Sequence, residues 1–316
     1  MIVTAGEALV DLAPRGEQLL PLPGGSPYNV AIGLGRLGVE AGYLGAISTD
    51  GFGERLAARL RAEGVALDLV PRTDAPTTLA VVHLDDRARA TYGFYLAATS
   101  AVGLDEHALP DLPADAALHV SLGAIGLADP GTGRALARLL MTASGQRFTS
   151  LDPNVRPVVF DAGGGRDHYR VTLDAAVAAC DLIKVSDDDL AALARDGDAL
   201  ALARRWADTG PVAVVVTRGP HGATVLRHEA VDIAVDPSVD GAVDGTSVEV
   251  VDTVGAGDAF TAGLLAWLDE RDLADRERLA RLDDDAWHAA LGFAGRVAAI
   301  TCTRPGADPP RRDELT

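Results

Sequence analysis

The sequence predicts an α/β protein, a central and mostly parallel sheet between helices with a smaller β-sheet projecting over it. Three observations carry this. Short β-rich runs alternate with amphipathic segments along 316 residues, 48% hydrophobic and 23% charged residues suit a globular chain, and two stretches break the alternation. Strands are expected at Ile2 to Ala5, Tyr43 to Ile47, Ala117 to Ser121, Phe148 to Leu151, Leu182 to Val185 and Val212 to Thr217. Helices are expected at Asn29 to Leu37, Gly53 to Glu63, Gly131 to Ala143, Asp187 to Arg195, Ala199 to Asp208, Gly257 to Leu268 and Ala286 to Ile300, several opening or closing at Gly, Pro or Asp. The interruptions lie at about 10–23 and 76–98. In the second, Thr78 to Leu84 turns at Asp85-Asp86-Arg87 into Ala90 to Tyr95, an antiparallel hairpin suited to a lid. The glycine and proline clusters at 161–166 and 237–245 read as surface loops, so residues 1–316 form one domain carrying a lid.

Charge narrows the function. With Lys+Arg 28 against Asp+Glu 46 the net charge is −18, a field that repels nucleic acid and anionic membranes. A phosphate-bearing ligand must then be held by local devices: backbone amides, a few arginines or a metal. Lys184 is the only lysine, and it has neither the glycines of a P-loop nor the signatures of a protein kinase around it. Seven histidines show no metal-ligand spacing, and Cys180 and Cys302 lie far apart, so no zinc site or disulfide framework is indicated. With no targeting pattern at the start and no apolar stretch of about 20 residues, a cytoplasmic protein is expected.

The strongest chemical signal is Asp252-Thr253-Val254-Gly255-Ala256-Gly257-Asp258, between the β-rich Val248 to Val251 and the apolar helical run from Ala259. Glycines and a small alanine at a helix start leave amides open to phosphoryl oxygens, and the helix dipole adds partial positive charge. Asp258 falls in the first turn, placed to take a proton from an attacking hydroxyl. A carboxylate there should titrate low, which suffices where the proton leaves late in a loose phosphoryl transfer.

This heptapeptide and Gly24-Gly25-Ser26-Pro27-Tyr28-Asn29 together resemble the two signatures of the ribokinase-like (PfkB) carbohydrate kinases. The likeness extends through Gly6 to Asp11, Leu151-Asp152-Pro153-Asn154-Val155-Arg156-Pro157, Thr217 to Ala223 and Thr303 to Ala307, and the fructokinase-like branch fits best. The resemblance implies a ribokinase-like fold, a lid over the sugar, and transfer of the ATP γ-phosphoryl group to a sugar hydroxyl with Mg²⁺. It implies Asp258 as catalytic base, with Gly255, Ala256 and Gly257 as the anion hole. Asp11, Gly24, Gly25, Asn29, Tyr95 and Arg156 would meet the sugar. Ser186, Thr217, Arg218, Gly219 and Gly222 would lie on the nucleotide side with Ala256 and Gly257. Ser186-x-x-Asp189 stands where the family usually has N-x-x-E, so Asp189 would help organise Mg²⁺, although the spacing is equally that of a capping box. Asp252 and Val254 match positions around a K⁺ site.

Two departures bear on specificity. Phe293-Ala294-Gly295-Arg296 replaces the branch's Phe-Ala-Asn-Ala on the adenine side, and Tyr95 is followed by Leu96-Ala97, without the arginine that sugar-acid kinases use. That favours a neutral sugar, with Arg89 and Arg156 as the available cations. Gly33-Leu34-Gly35-Arg36-Leu37-Gly38 matches a dinucleotide fingerprint but follows no strand, so helix packing is the better account. The expected activity is a fructokinase; the alternatives are a kinase for another polyol, sugar acid or nucleoside, or a non-catalytic sugar-binding protein. A homodimer paired through the lid is also expected.

Overall fold

The computed structural model describes residues 1–84, 90–123, 129–156, 166–194, 197–228, 232–235 and 249–315. The expected loops at 161–165 and 237–245, the hairpin tip and Arg89 fall outside them. Strands are β1 (Ile2–Ala5), β2 (Leu9–Arg15), β3 (Gln18–Gly24), β4 (Ala41–Leu44), β5 (Ile47–Ser48), β6 (Arg72–Thr73), β7 (Leu79–Leu84), β8 (Ala90–Tyr95), β9 (Ala117–Ser121), β10 (Thr149–Asp152), β11 (Leu182–Ser186), β12 (Ala213–Thr217), β13 (Ala223–Leu226) and β14 (Ile233–Val235). Helices are α1 (Ser26–Arg36), α2 (Gly51–Ala62), α3 (Pro130–Ala143), α4 (Arg166–Ala179), α5 (Asp187–Ala194), α6 (Ala199–Ala207), α7 (Ala256–Asp269), α8 (Arg276–Leu279) and α9 (Asp284–Cys302).

Eight strands form the main sheet in the order β14-β13-β12-β11-β10-β9-β1-β4. Its strands from β12 to β4 run parallel, and β13 and β14 add antiparallel. Because both faces are covered, neighbouring residues of one strand enter different cores. Ile2 and Leu182 join α1, α2, α7 and α9, whereas Val3 and Ile183 join α3, α4, α5 and α6. The second sheet has the order β3-β2-β7-β8, with β2 antiparallel to β3, parallel to β7, and β7 antiparallel to β8.

The β-rich segment Val248 to Val251 forms no strand over its described residues. Val250 and Val251 are exposed, and the amides of Val251 and Asp252 both donate to the Cys302 carbonyl at the end of α9. That docking holds the mouth of α7 against the last turn of α9. Of the dinucleotide-like glycines, Gly33 and Gly35 lie inside α1, as helix packing requires, and Gly38 lies in the turn that follows it at φ +83°. A Cβ on Gly33 would stand 2.6 Å from that of Ala262, so the glycine lets α1 lie directly against α7.

Candidate active site

Close contact between α1 and α7 brings the two signature segments together. Asn29 is one turn ahead of Gly33, and Asp258 one turn ahead of Ala262, so the helices run in phase. Asn29 Nδ2 donates to Asp258 Oδ2 at 2.8 Å across 229 sequence positions. Both side chains are buried. Burial pushes the Asp258 carboxyl above the ordinary carboxylate range, while Asn29, Ser26 and Lys184 pull it back. The low titration expected from the helix terminus is therefore corrected. Desolvation outweighs the dipole, which makes Asp258 a stronger base than an aspartate in water.

The trio of amides expected at the start of α7 differs in one member. Gly255 caps α7 at φ +76°, and a Cβ there would run into Ala307 of the following turn, so glycine is required twice over. The Ala256 amide, expected to be free, instead donates to the Thr253 carbonyl at 3.2 Å. Among the described residues the amides of Gly255, Gly257 and Asp258 have no protein acceptor. Three open donors thus surround the start of α7, Asp258 replacing Ala256 in the expected trio.

On the other side of Asp258 stands Asp11, carried by β2 of the second sheet. Burial lifts its carboxyl to about 6; Arg156 opposes the shift and the charge of Asp258 adds to it. Among the described residues Arg156 donates only to the neighbouring Val155 carbonyl, at 3.3 Å. Gly24 and Gly25 line the same corner for steric reasons. A Cβ on Gly24 would strike the Asp11 carboxylate, and one on Gly25, at φ +106°, would strike the Glu7 carbonyl. Tyr95 lies apart from this group, at the end of β8 and 63% exposed.

Ser186 ends β11 beside Thr217, which ends β12. Beyond Thr217, Arg218 to Gly222 close the β12–β13 hairpin, with Gly219 and Gly222 at positive φ and the Arg218 amide donating to the Gly222 carbonyl. Ser186 and Asp189 form the capping box. The Asp189 amide donates to Ser186 Oγ at 3.0 Å, and Asp189 Oδ2 accepts from the Ser186 hydroxyl at 2.7 Å. Asp189 Oδ1 accepts from the Val155 amide, so both carboxylate oxygens already serve the protein. Asp252 is similarly engaged, accepting from the amides of Val254 and Gly306, which ties the α7 entry to the turn after α9. No group of three His, Cys, Asp or Glu that could hold a metal gathers among the described residues. On the adenine side, a side chain at Gly295 would meet nothing within 4 Å.

Sequence reasoning missed the residue beneath this site. Lys184, set aside for want of a motif, projects from β11 on the face of Leu182, beside Asp152 of β10, and binds Asp152 Oδ2 at 3.0 Å. Its ammonium lies 3.1 Å from where a Cβ of Gly257 would stand. Being the sole lysine was the available signal.

The pfkB family carbohydrate kinase model matches residues 3–314. The chain belongs to that family. It is 37% identical to a fructokinase of Rhizobium leguminosarum bv. trifolii over 90% of this chain and 85% of that one. Against a fructokinase of Klebsiella pneumoniae it is 35% identical, over 98% and 96%. The structure of a Xylella fastidiosa fructokinase with bound ATP superposes with a TM-score of 0.86 at 25% identity, covering 99% of this chain and 96% of that one. This family member is a sugar kinase of ribokinase-like fold. Among the described residues no helix is long and apolar enough to cross a membrane.

Proposed function

We propose that this kinase phosphorylates fructose from ATP, with Asp258 as the base. The observation that carries the reading is the Asn29–Asp258 hydrogen bond, which joins a polyol-binding amide to a buried carboxylate at the open amides of α7. Asp11, Asn29, Gly24, Gly25 and Arg156 hold the sugar, and the amides of Gly255, Gly257 and Asp258 receive the transferring phosphoryl charge. A neutral sugar suits the corner, because Tyr95 is followed by Leu96-Ala97 and not by an arginine that would meet a sugar-acid carboxylate. Thr217 to Gly222 and Ser186 flank the nucleotide. Mg²⁺ would draw its ligands mainly from phosphate oxygens and water, since Asp189 and Asp252 are engaged by the protein; when bound it neutralises phosphate charge. K⁺ would sit by the Asp252–Val254 turn.

The second sheet acts as the lid of a single domain. Leu19, Leu20 and Tyr95 on it are exposed, an apolar set suited to pairing two copies, which light scattering will register as a dimer. Free Cys180 and Cys302 suit a reducing cytoplasm.

The test is a coupled ADP assay over fructose, other ketoses, a nucleoside and a keto-deoxy sugar acid, repeated with Asp258→Asn. Fructose should give the highest kcat/KM, and the variant should lose about 10²–10⁴ in kcat while staying folded. Full turnover by the variant removes the base assignment. Preference for the acid or the nucleoside removes the substrate, and fructose binding without any turnover would mark a sensor.

A further inference from the structure

The chain has 28 lysines and arginines, of which one, Lys184, is lysine and the other 27 are arginine. That one side chain is set where physical chemistry opposes a cation. It is buried, and the Nζ position lies against Gly257 in the first turn of α7, the positive end of the helix dipole. A buried ammonium already costs several kcal/mol in lost hydration, and a helix N-terminus repels it further. Asp152 offsets part of this, yet of the ammonium's three donors only one has a protein acceptor among the described residues. Acidic neighbours complete the picture: Asp152, Asp189 and Asp258 all act on Lys184 electrostatically. An arrangement that adds positive charge to a positive pole makes sense where more than one negative charge is to arrive. The ammonium sits close under Gly257, 3.1 Å from where a Cβ would stand, so the contact is made by a compact charge.

We propose that Lys184 is a positioning residue for phosphoryl transfer: pinned by Asp152 beneath Gly257, its fixed charge strengthens the field of the α7 amides where the migrating phosphoryl group gathers negative charge. The inference rests on the reading of α7 as the phosphoryl site and deepens it. Among the described residues Lys184 makes no hydrogen bond to Asp11, Asn29 or Arg156, the side chains proposed to hold the sugar. Its contribution therefore belongs to the transition state and leaves ground-state sugar binding alone.

The experiment compares wild type with Lys184→Met and with the double variant Lys184→Met/Asp152→Asn, which leaves no orphaned carboxylate and so keeps the fold if the single variant does not. Both should show kcat lowered about 10²-fold, with KM for fructose changed less than about threefold. Affinity for ADP with aluminium fluoride and sugar, a mimic of the planar phosphoryl group, should fall in step with kcat. A role confined to packing would leave the folded double variant within about threefold of wild-type kcat, and that result overturns the proposal. Raised KM at unchanged kcat overturns it too. Asp258→Asn, assayed alongside, separates the two readings. If it is inactive while the double variant is fully active, only the role of Lys184 fails; if it is fully active, the phosphoryl-site reading fails with it.

Discussion

Asp11→Asn should stabilise the protein and weaken its grip on sugar together. The Asp11 carboxyl is lifted to about 6 by burial, against an ordinary value of 3.8. A group raised on folding contributes its full stability below pH 3.8 and loses it as pH rises through about 6, where the half-buried side chain must carry charge. Above pH 7 the difference corresponds to at most about 3 kcal/mol of lost stability, falling to about half that at pH 5 and about a fifth of it at pH 4. Asparagine keeps the shape without the charge, so it should recover that amount. For a chain of this length the gain is roughly 4–5 °C in Tm at pH 7.5. Losing a charged acceptor should raise KM for fructose about 10- to 100-fold. Thermal melts of both proteins across pH 4 to 8, with steady-state kinetics at pH 7.5, measure each part. A Tm difference that stays constant with pH, or a variant less stable than wild type at pH 7.5, would refute the reasoning.

Two further outcomes follow from the geometry. Gly33→Val should wedge α1 away from α7 at Ala262, break the Asn29–Asp258 hydrogen bond, and cut kcat/KM by about 10²-fold although no site residue changes; wild-type kinetics from a folded variant would show that the helix contact does not set the site. Replacing K⁺ by tetramethylammonium should lower turnover in wild type, and Asp252→Ala should be slow in either salt. Equal rates for wild type in both salts would exclude a K⁺ requirement.

Much of the fold was legible because periodicity reports burial directly. Strand β12 reads as a nearly unbroken apolar run, β9 to β11 read as β-rich runs broken by His119, Asp152 and Lys184, and the antiparallel pair β7–β8 was visible from its alternation and turn. Helix α4 was passed over, although Tyr169, Leu173, Ala176 and Val177 recur at helical spacing and are all buried. At the site, residue identities read better than states. Asp258 and Asn29 were recognised as types at spacings, but their partnership spans 229 positions and depends on Gly33. The upward shift of Asp258 was invisible because desolvation is tertiary. Lys184 was misjudged for a related reason: a motif search asks what precedes and follows in the chain, and this ammonium answers to the next strand and the helix above it.

The same long reach between Asn29 and Asp258 sets when the enzyme can begin to work. A nascent chain that has delivered the described strands of the main sheet, ending at Val235, still lacks the proposed proton acceptor Asp258, the open amides of α7 and the α9 end that steadies them. On the proposed mechanism, a molecule only three-quarters synthesised would neither hydrolyse nor transfer phosphate. Ribosome-bound truncations ending before residue 256 should be inert, and a fragment supplying the last sixty or so residues in trans is the natural reagent for switching them on.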